Sequence, residues 1–288
     1  MTYIIDNAMI VKEDKVVKTS LLVNDEKILS VQPSFPKYRY MKMDTKNFVL
    51  TPSFVFFSDG PPNQPDKSFF IKQFLQKGAT TVVASTRRVE SFRDLSSAKD
   101  ELKNIYLQSP LDFVLITKVN IKHLSVPFIQ KTKREKIPAI IVQYEDLKQI
   151  YRLPWGWIRE AMFPYNSPLV PEYIGRPDER SRMLEGWNKI LSREKIPHLT
   201  EPLPEGRALP VHVLKKIGVY PLKGYLQTGG ELSYNLFLQE FSTNRTIPDM
   251  GEPVVTVHKG KVIRVLNRIY YNVVKGDELI INRPSFFN

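Results

Sequence analysis

The sequence predicts an α/β protein, and three observations carry that prediction. Both ends of the chain read as short strands separated by polar turns. The middle alternates apolar strands with helices of about ten residues, the mark of βα units and a parallel sheet. At 288 residues the chain can bury a substantial core as one large domain or two ordinary ones. The two strand-rich ends are expected to meet in one β-domain around the different middle.

Residues 3–11, 16–23 and 27–31 are rich in β-branched and aliphatic side chains, with Asn24-Asp25-Glu26 as a turn between the last two. Residues 48–57 read as one nearly continuous apolar strand. A helix over 68–77 leads through Gly78 into a strand at 80–84. A second helix at 97–107 precedes a strand at 113–119, and a third at 127–135 precedes a strand at 139–142. Residues 154–177 are rich in proline and aromatics, and an amphipathic helix follows over 178–193. The tail returns to strands at 232–237, 253–258, 261–266, 269–274 and 278–281, separated by turn formers such as Lys259-Gly260 and Lys275-Gly276-Asp277.

Hydrophobic residues at 42% and charged residues at 25% are ordinary for a soluble globular protein. No apolar run approaches the roughly 18 residues that span a membrane, and the first residues show no signal-peptide pattern. The chain has no cysteine, which excludes disulfides, thiol nucleophiles and zinc–thiolate sites. A cytoplasmic location is expected. The net charge of +12 suits an anionic partner such as nucleic acid or an acidic membrane surface. The lysines are scattered, however, and the densest run, Lys131-Thr132-Lys133-Arg134-Glu135-Lys136, reads as the solvated end of a surface helix. Phosphate-cradling glycine loops, dinucleotide fingerprints and serine nucleophile elbows are all missing from the sequence.

Several short motifs, in order, resemble those of the amidohydrolase superfamily, dihydroorotases, hydantoinases and related deacetylases above all. The strand-turn-strand run over 4–31 is similar to that family's opening. Asp44-Thr45-Lys46-Asn47-Phe48-Val49-Leu50-Thr51-Pro52-Ser53-Phe54-Val55 resembles its lead-in to the barrel, with Asn47 and Ser53 where glycine is usual. Phe74-Leu75-Gln76-Lys77-Gly78-Ala79-Thr80-Thr81-Val82-Val83 resembles the second barrel strand with its preceding turn. Ile217-Gly218-Val219-Tyr220-Pro221 and Lys223-Gly224-Tyr225-Leu226-Gln227-Thr228-Gly229 resemble the hinge back to the β-domain, and 254–262 the closing strand pair. The resemblance covers about the first 85 and the last 75 residues; residues from 90 to 210 match only in style.

The resemblance implies a composite β-sandwich domain from residues 1–51 and 222–288 and a (β/α) barrel-like domain over 52–221. A full eight-unit barrel takes about 250 residues, whereas Pro52 to Arg207 spans about 155, so a truncated barrel of four or five units is expected. Its open side needs a cover. The aromatic stretch from Arg152 to Tyr165, with Trp155 and Trp157, is expected to supply it or to form an interface. The helix carrying Leu184, Trp187 and Leu191 and a second subunit are the alternatives.

The resemblance also implies a metal site, and its ligands are missing here. The family's His-x-His positions fall on Ser58-Asp59-Gly60, and its usual aspartate after the strand start falls on Phe56. Only four histidines exist in the chain, none close to another in sequence. His258 belongs to the closing strands and His212 to the helix before the hinge. His123 and His198 read as surface or structural. Lys118, near a strand end, is the place of a bridging lysine and is expected to pair with a carboxylate or an anion. No cofactor is expected.

The leading functional reading is therefore a pseudoenzyme that acts by binding or assembly, through a protein partner, a homo-oligomer or a small anionic ligand. A second reading is a hydrolase with a rebuilt, metal-independent site for a small anionic substrate. Its candidate ligand-binding residues are Ser58, Asp59, Arg87, Arg88 and Lys118, all following strands where barrel proteins keep their sites. A carboxylate pair of Asp59 with Glu145 or Glu160 cannot be placed by spacing. The third reading is nucleic-acid or membrane-surface binding through the basic charge.

Overall fold

The computed structural model describes residues 1–12, 15–239 and 251–286. The chain opens with β1 (Thr2–Lys12), β2 (Lys15–Asn24), β3 (Lys27–Gln32), β4 (Met41–Asp44) and β5 (Phe48–Pro52). Next come β6 (Phe54–Ser58), α1 (Lys67–Gln73), β7 (Ala79–Val89), α2 (Leu95–Tyr106), β8 (Asp112–Asn120) and α3 (Val126–Arg134). They are followed by β9 (Ile140–Tyr144), α4 (Leu147–Tyr151), α5 (Trp155–Met162), β10 (Leu169–Tyr173), α6 (Arg180–Arg193) and α7 (Val211–Ile217). The end of the chain holds β11 (Tyr234–Leu238), β12 (Val255–His258), β13 (Lys261–Val265) and β14 (Arg268–Ile269).

Among the described residues, nine strands from the two chain ends form one continuous sheet in the order β14-β13-β12-β11-β5-β1-β2-β3, with β4 beside β1. The join is antiparallel pairing of β11 with β5, from Tyr234 against Pro52 to Leu238 against Phe48. Ile5, Leu21, Leu50, Leu232 and Leu236 bury one another in a shared core. Each such side chain contributes on the order of 1.5–3 kcal/mol, so neither end covers itself alone.

The apolar run over 48–57 is two strands, not one. Pro52 has no N–H to continue a ladder, and at Ser53 the chain passes from the first sheet to the second. The Ser53 N–H donates to the Ser233 carbonyl at 3.1 Å, while the Phe54 N–H donates to the Gly78 carbonyl at 3.0 Å.

The second sheet is parallel, with order β10-β9-β8-β7-β6 among the described residues. Its alternation produces two apolar faces. The outer face buries Phe56, Val82, Phe113 and Leu115 against Phe70, Leu102 and Tyr106 of α1 and α2. Farther along, Val119, Ile140 and Val142 bury against Phe128, Ile158 and Trp187 of α3, α5 and α6. The inner face carries Val55, Phe57, Val83, Val114, Ile116, Ile141 and Val170. Sequence reading found four of these five strands. It missed β10, where Pro171 and the aromatic surroundings disguise a five-residue strand.

The open side of this partial barrel is closed by a segment that the sequence did not single out. The Leu199 N–H donates to the Leu169 carbonyl of β10, and the Leu209 N–H to the Val55 carbonyl of β6, each at 2.8 Å. One run of chain thus caps both sheet edges, and Leu199, Leu203, Leu209, Val213, Leu214 and Ile217 fill the inner face. The helix of the expected cover, α5, packs instead on the helical side. Trp155 is buried there at 5% exposure, and its indole N–H donates to the Ile150 carbonyl at 2.9 Å. Trp157, two positions on in the helix, faces solvent at 68% exposure.

The tail also departs from expectation. The strand expected at 278–281 leaves the large sheet and joins the start of β8, where the Leu279 N–H donates to the Phe113 carbonyl at 2.8 Å. Ile281 then packs into the inner core. Of the strand expected over 269–274, only Ile269 lies in a strand, β14, which pairs with β13. Tyr271 and Val274 pack against the α1–α2 core instead.

Candidate functional site

At the C-terminal strand ends the inner face changes from apolar to polar in a regular way. Phe57 is followed two positions later by Asp59, Val83 by Ser85, Ile116 by Lys118, Ile141 by Gln143 and Val170 by Glu172. A period of two keeps each pair on one side of the sheet. Four of these five polar side chains, Ser85, Asp59, Lys118 and Glu172, are joined by hydrogen bonds into one layer at this end of the sheet.

Lys118 is the centre of that layer. Its ammonium donates to Asp59 at 2.6 Å and to Glu172 at 3.1 Å, and its side chain is only 9% exposed. The Ser85 hydroxyl donates to Asp59 at 2.8 Å and accepts the Gly60 N–H at 2.8 Å. The Asp59 N–H in turn donates to Glu205, on the capping segment, at 3.3 Å. A cavity of about 290 Å³ opens above this layer, floored by Phe57, Ile141, Val170 and Leu203. Asp59, Glu172, Glu205 and Arg180 give it a charged rim. A wider depression of about 590 Å³ beside α1, lined by Asn63, Asp66, Phe69 and Lys72, shares no residue with it.

Of the sequence-predicted residues, the structure brings Asp59 and Lys118 together and separates the rest. Ser58 alternates onto the helical side, beside the Tyr106 phenol, which burial pushes up to about 12. Arg87 pairs with Glu101 at 3.2 Å and Arg88 with Glu90 at 2.6 Å, and both are at least half exposed. A bulge between Ser85 and Arg88 turns this strand end outward. Glu145 and Glu160 are exposed and take no part in the layer. Its second carboxylate is Glu172, which went unnoticed because its strand did. The usable signal was a polar residue two places after the last inner-face apolar one, repeated on every strand.

The histidines are dispersed. His123 pairs with Glu90 at 3.2 Å on the surface, His198 is 2.8 Å from the Ile196 carbonyl, and His212 is exposed on α7. Burial lowers the His198 pKa. His258 lies at the opposite end of the parallel strands, in a charged cluster between β8 and the large sheet. There the Lys223 ammonium is 2.5 Å from Asp112 and 2.6 Å from Glu231, and Lys259 bridges Asp112 and Asp277 at 2.7 Å each. His258 is fully buried, 3.2 Å from the Ser233 hydroxyl through Nδ1. Burial pulls its pKa down to about 4. Burial pushes the Asp112 carboxyl up, but the Lys223 and Lys259 ammoniums more than offset this and hold it below its ordinary value.

Asp112, Glu231 and His258 are the one grouping of metal-type side chains found among the described residues, with ligand atoms within 4.8 Å of one another. Lys223 already supplies the cation between the two carboxylates. At the C-terminal layer no imidazole is present, and Lys118 fills the space between Asp59 and Glu172. The donor set at neither place fits a divalent metal in the way that the resemblance implies. What the C-terminal layer offers is a charge-paired, partly enclosed cavity.

The sequence matches no family model and no curated protein. Solved structures share its fold. A dihydropyrimidinase from Brevibacillus agri NCHU1002 superposes with a TM-score of 0.62 at 13% identity, covering 100% of both chains. A D-hydantoinase gives a TM-score of 0.67 at 12% identity, covering 99% of this chain and 100% of that one. The L-hydantoinase (dihydropyrimidinase) of Arthrobacter aurescens gives 0.58 at 12%, covering 96% and 99%. The architecture is therefore of the hydantoinase and dihydropyrimidinase type, and no helix among the described residues is long and apolar enough to cross a membrane.

Proposed function

We propose that this chain is a degenerate, metal-free amidohydrolase-like protein, a pseudoenzyme whose shortened barrel binds a small ligand at its C-terminal strand ends. The observation that carries this reading is Lys118, which stands between Asp59 and Glu172 where a bridging cation would have to sit. The cavity above it supports binding, because it combines an apolar floor with a few convergent polar groups. On this reading residues 1–51 and 222–288 act as a composite β-sandwich domain and 52–221 as the binding domain. The cysteine-free composition is in keeping with a cytoplasmic protein. A protein partner or second copy would meet the surface around Trp157.

The test pairs elemental analysis with hydrolysis assays on a hydantoin and a dihydropyrimidine, with zinc or manganese added. The expected result is no stoichiometric zinc, iron, nickel or manganese and no turnover above buffer. Turnover that is lost in Asp59→Asn would overturn the reading.

A further inference from the structure

We infer that the cavity at the C-terminal strand ends takes a small organic cation, a primary amine or amidine, held by Glu172 and Glu205 over an apolar floor. This rests on the reading of that face as a ligand site and adds the ligand's chemical class.

The first observation is an unmatched acceptor. Glu172 Oε1 accepts from Lys118 at 3.1 Å, while Oε2 is buried and meets no donor among the described residues. A buried carboxylate oxygen without a donor has given up its hydration with nothing in exchange. The Glu172 side chain lines the cavity and is 28% exposed overall, so a turn of its carboxylate would bring this oxygen to an N–H group there. The unmatched atom is an acceptor, so the missing complement is a donor.

The second observation is charge. Three carboxylates, Asp59, Glu172 and Glu205, line the cavity with one cation, Arg180, and Lys118 pairs with Asp59 and Glu172 from outside the lining. Lys118 is engaged with two of the three. One carboxylate is left in excess, so a monocation neutralises the site and an anion does not. The paired arginines that would recruit an anion are tied to Glu101 and Glu90 elsewhere.

The third observation is shape. At about 290 Å³, the cavity holds the volume of about ten waters at roughly 30 Å³ each, which suits one ring or a short chain. Phe57, Ile141, Val170 and Leu203 supply the apolar contact for its body. The cationic head would donate to the Glu172 and Glu205 carboxylates, a charge-assisted geometry stronger than a neutral hydrogen bond.

The test titrates the full chain with benzamidine, benzylamine, benzyl alcohol and benzoate, followed by calorimetry and by backbone amide NMR shifts. The two cations are expected to bind and to shift amides near Asp59, Lys118 and Glu172. Benzyl alcohol and benzoate are expected to bind about tenfold more weakly or not at all. Glu172→Gln is expected to weaken benzamidine about tenfold. Glu205→Gln, at an exposed position that leaves the Lys118 pairs intact, is expected to weaken it several-fold, which covers the case where Glu172→Gln does not fold. Benzoate binding better than benzamidine, or alcohol binding equally well, would overturn the cation inference and leave the ligand-site reading standing. Unchanged benzamidine affinity in folded variants of both glutamates would also overturn it. If no probe shifts these strand ends, both the inference and the ligand-site reading fall.

Discussion

The Lys118 ammonium lies 3.1 Å from the Glu172 carboxylate, joining strand ends that are 54 positions apart in sequence. With Asp59 it ties β6, β8 and β10 together above the inner core. Removing the ammonium would leave two partly buried carboxylates facing each other. Lys118→Met is therefore expected to destabilise the fold by about 1–3 kcal/mol, less than for a fully buried pair because both carboxylates keep some solvent. The double variant Lys118→Met with Glu172→Gln should recover part of the loss. Urea unfolding of the single and double variants measures both; an unchanged midpoint in Lys118→Met would show that the pair contributes nothing.

His258 should make stability depend on pH. Its folded pKa of about 4 lies below the ordinary histidine value of 6.5, so its contribution is fully present above about pH 6.5. It is lost as pH falls through the folded value near 4, when the unfolded chain binds the proton and the folded one resists it. The loss across that window is on the order of 3 kcal/mol. His258→Gln should flatten the curve between pH 6.5 and 4, measured as urea midpoints in matched buffers. A variant curve parallel to that of the natural protein would count against the assignment.

The two tryptophans of α5 should behave oppositely. Trp155 is buried and hydrogen-bonded in the helical core, so Trp155→Ala is expected to cost about 3–5 kcal/mol. Trp157 is 68% exposed, and Trp157→Ala is expected to stay within about 0.5 kcal/mol. Sedimentation velocity on Trp157→Ala tests the interface reading separately, since loss of an oligomer with unchanged monomer stability would identify a contact surface.

Gly260 couples the two ends of the chain. It sits at φ +70°, and a Cβ there would lie 2.1 Å from the Asp25 carbonyl oxygen. Gly260→Ala therefore meets both backbone strain and a backbone clash, and is expected to cost about 2 kcal/mol or more. Hydrogen exchange should speed up in β2 and β3 as well as in β12 and β13. Exchange confined to the C-terminal strands would show that the two turns are not mechanically linked.

The sequence by itself determined the βα alternation of the middle and the strand character of both ends. It also showed that imidazole is missing where the resemblance calls for it. These are local properties, because apolar period, turn residues and residue identity can be read in windows of a few to a dozen residues. Asp59 and Lys118 were also legible, since each follows a recognisable strand. Glu172 was not, because Pro171 and a short strand hid the element that carries it. Only the tertiary structure decided that Lys118 stands between two carboxylates, that Ser58 and Arg88 point away from them, and that the chain from Pro197 to Leu209 caps both edges of the open sheet. Those relations join residues tens of positions apart through sheet order, register and a bulge. Local periodicity sets which face a side chain takes, but strand order and packing set which other side chains it meets there.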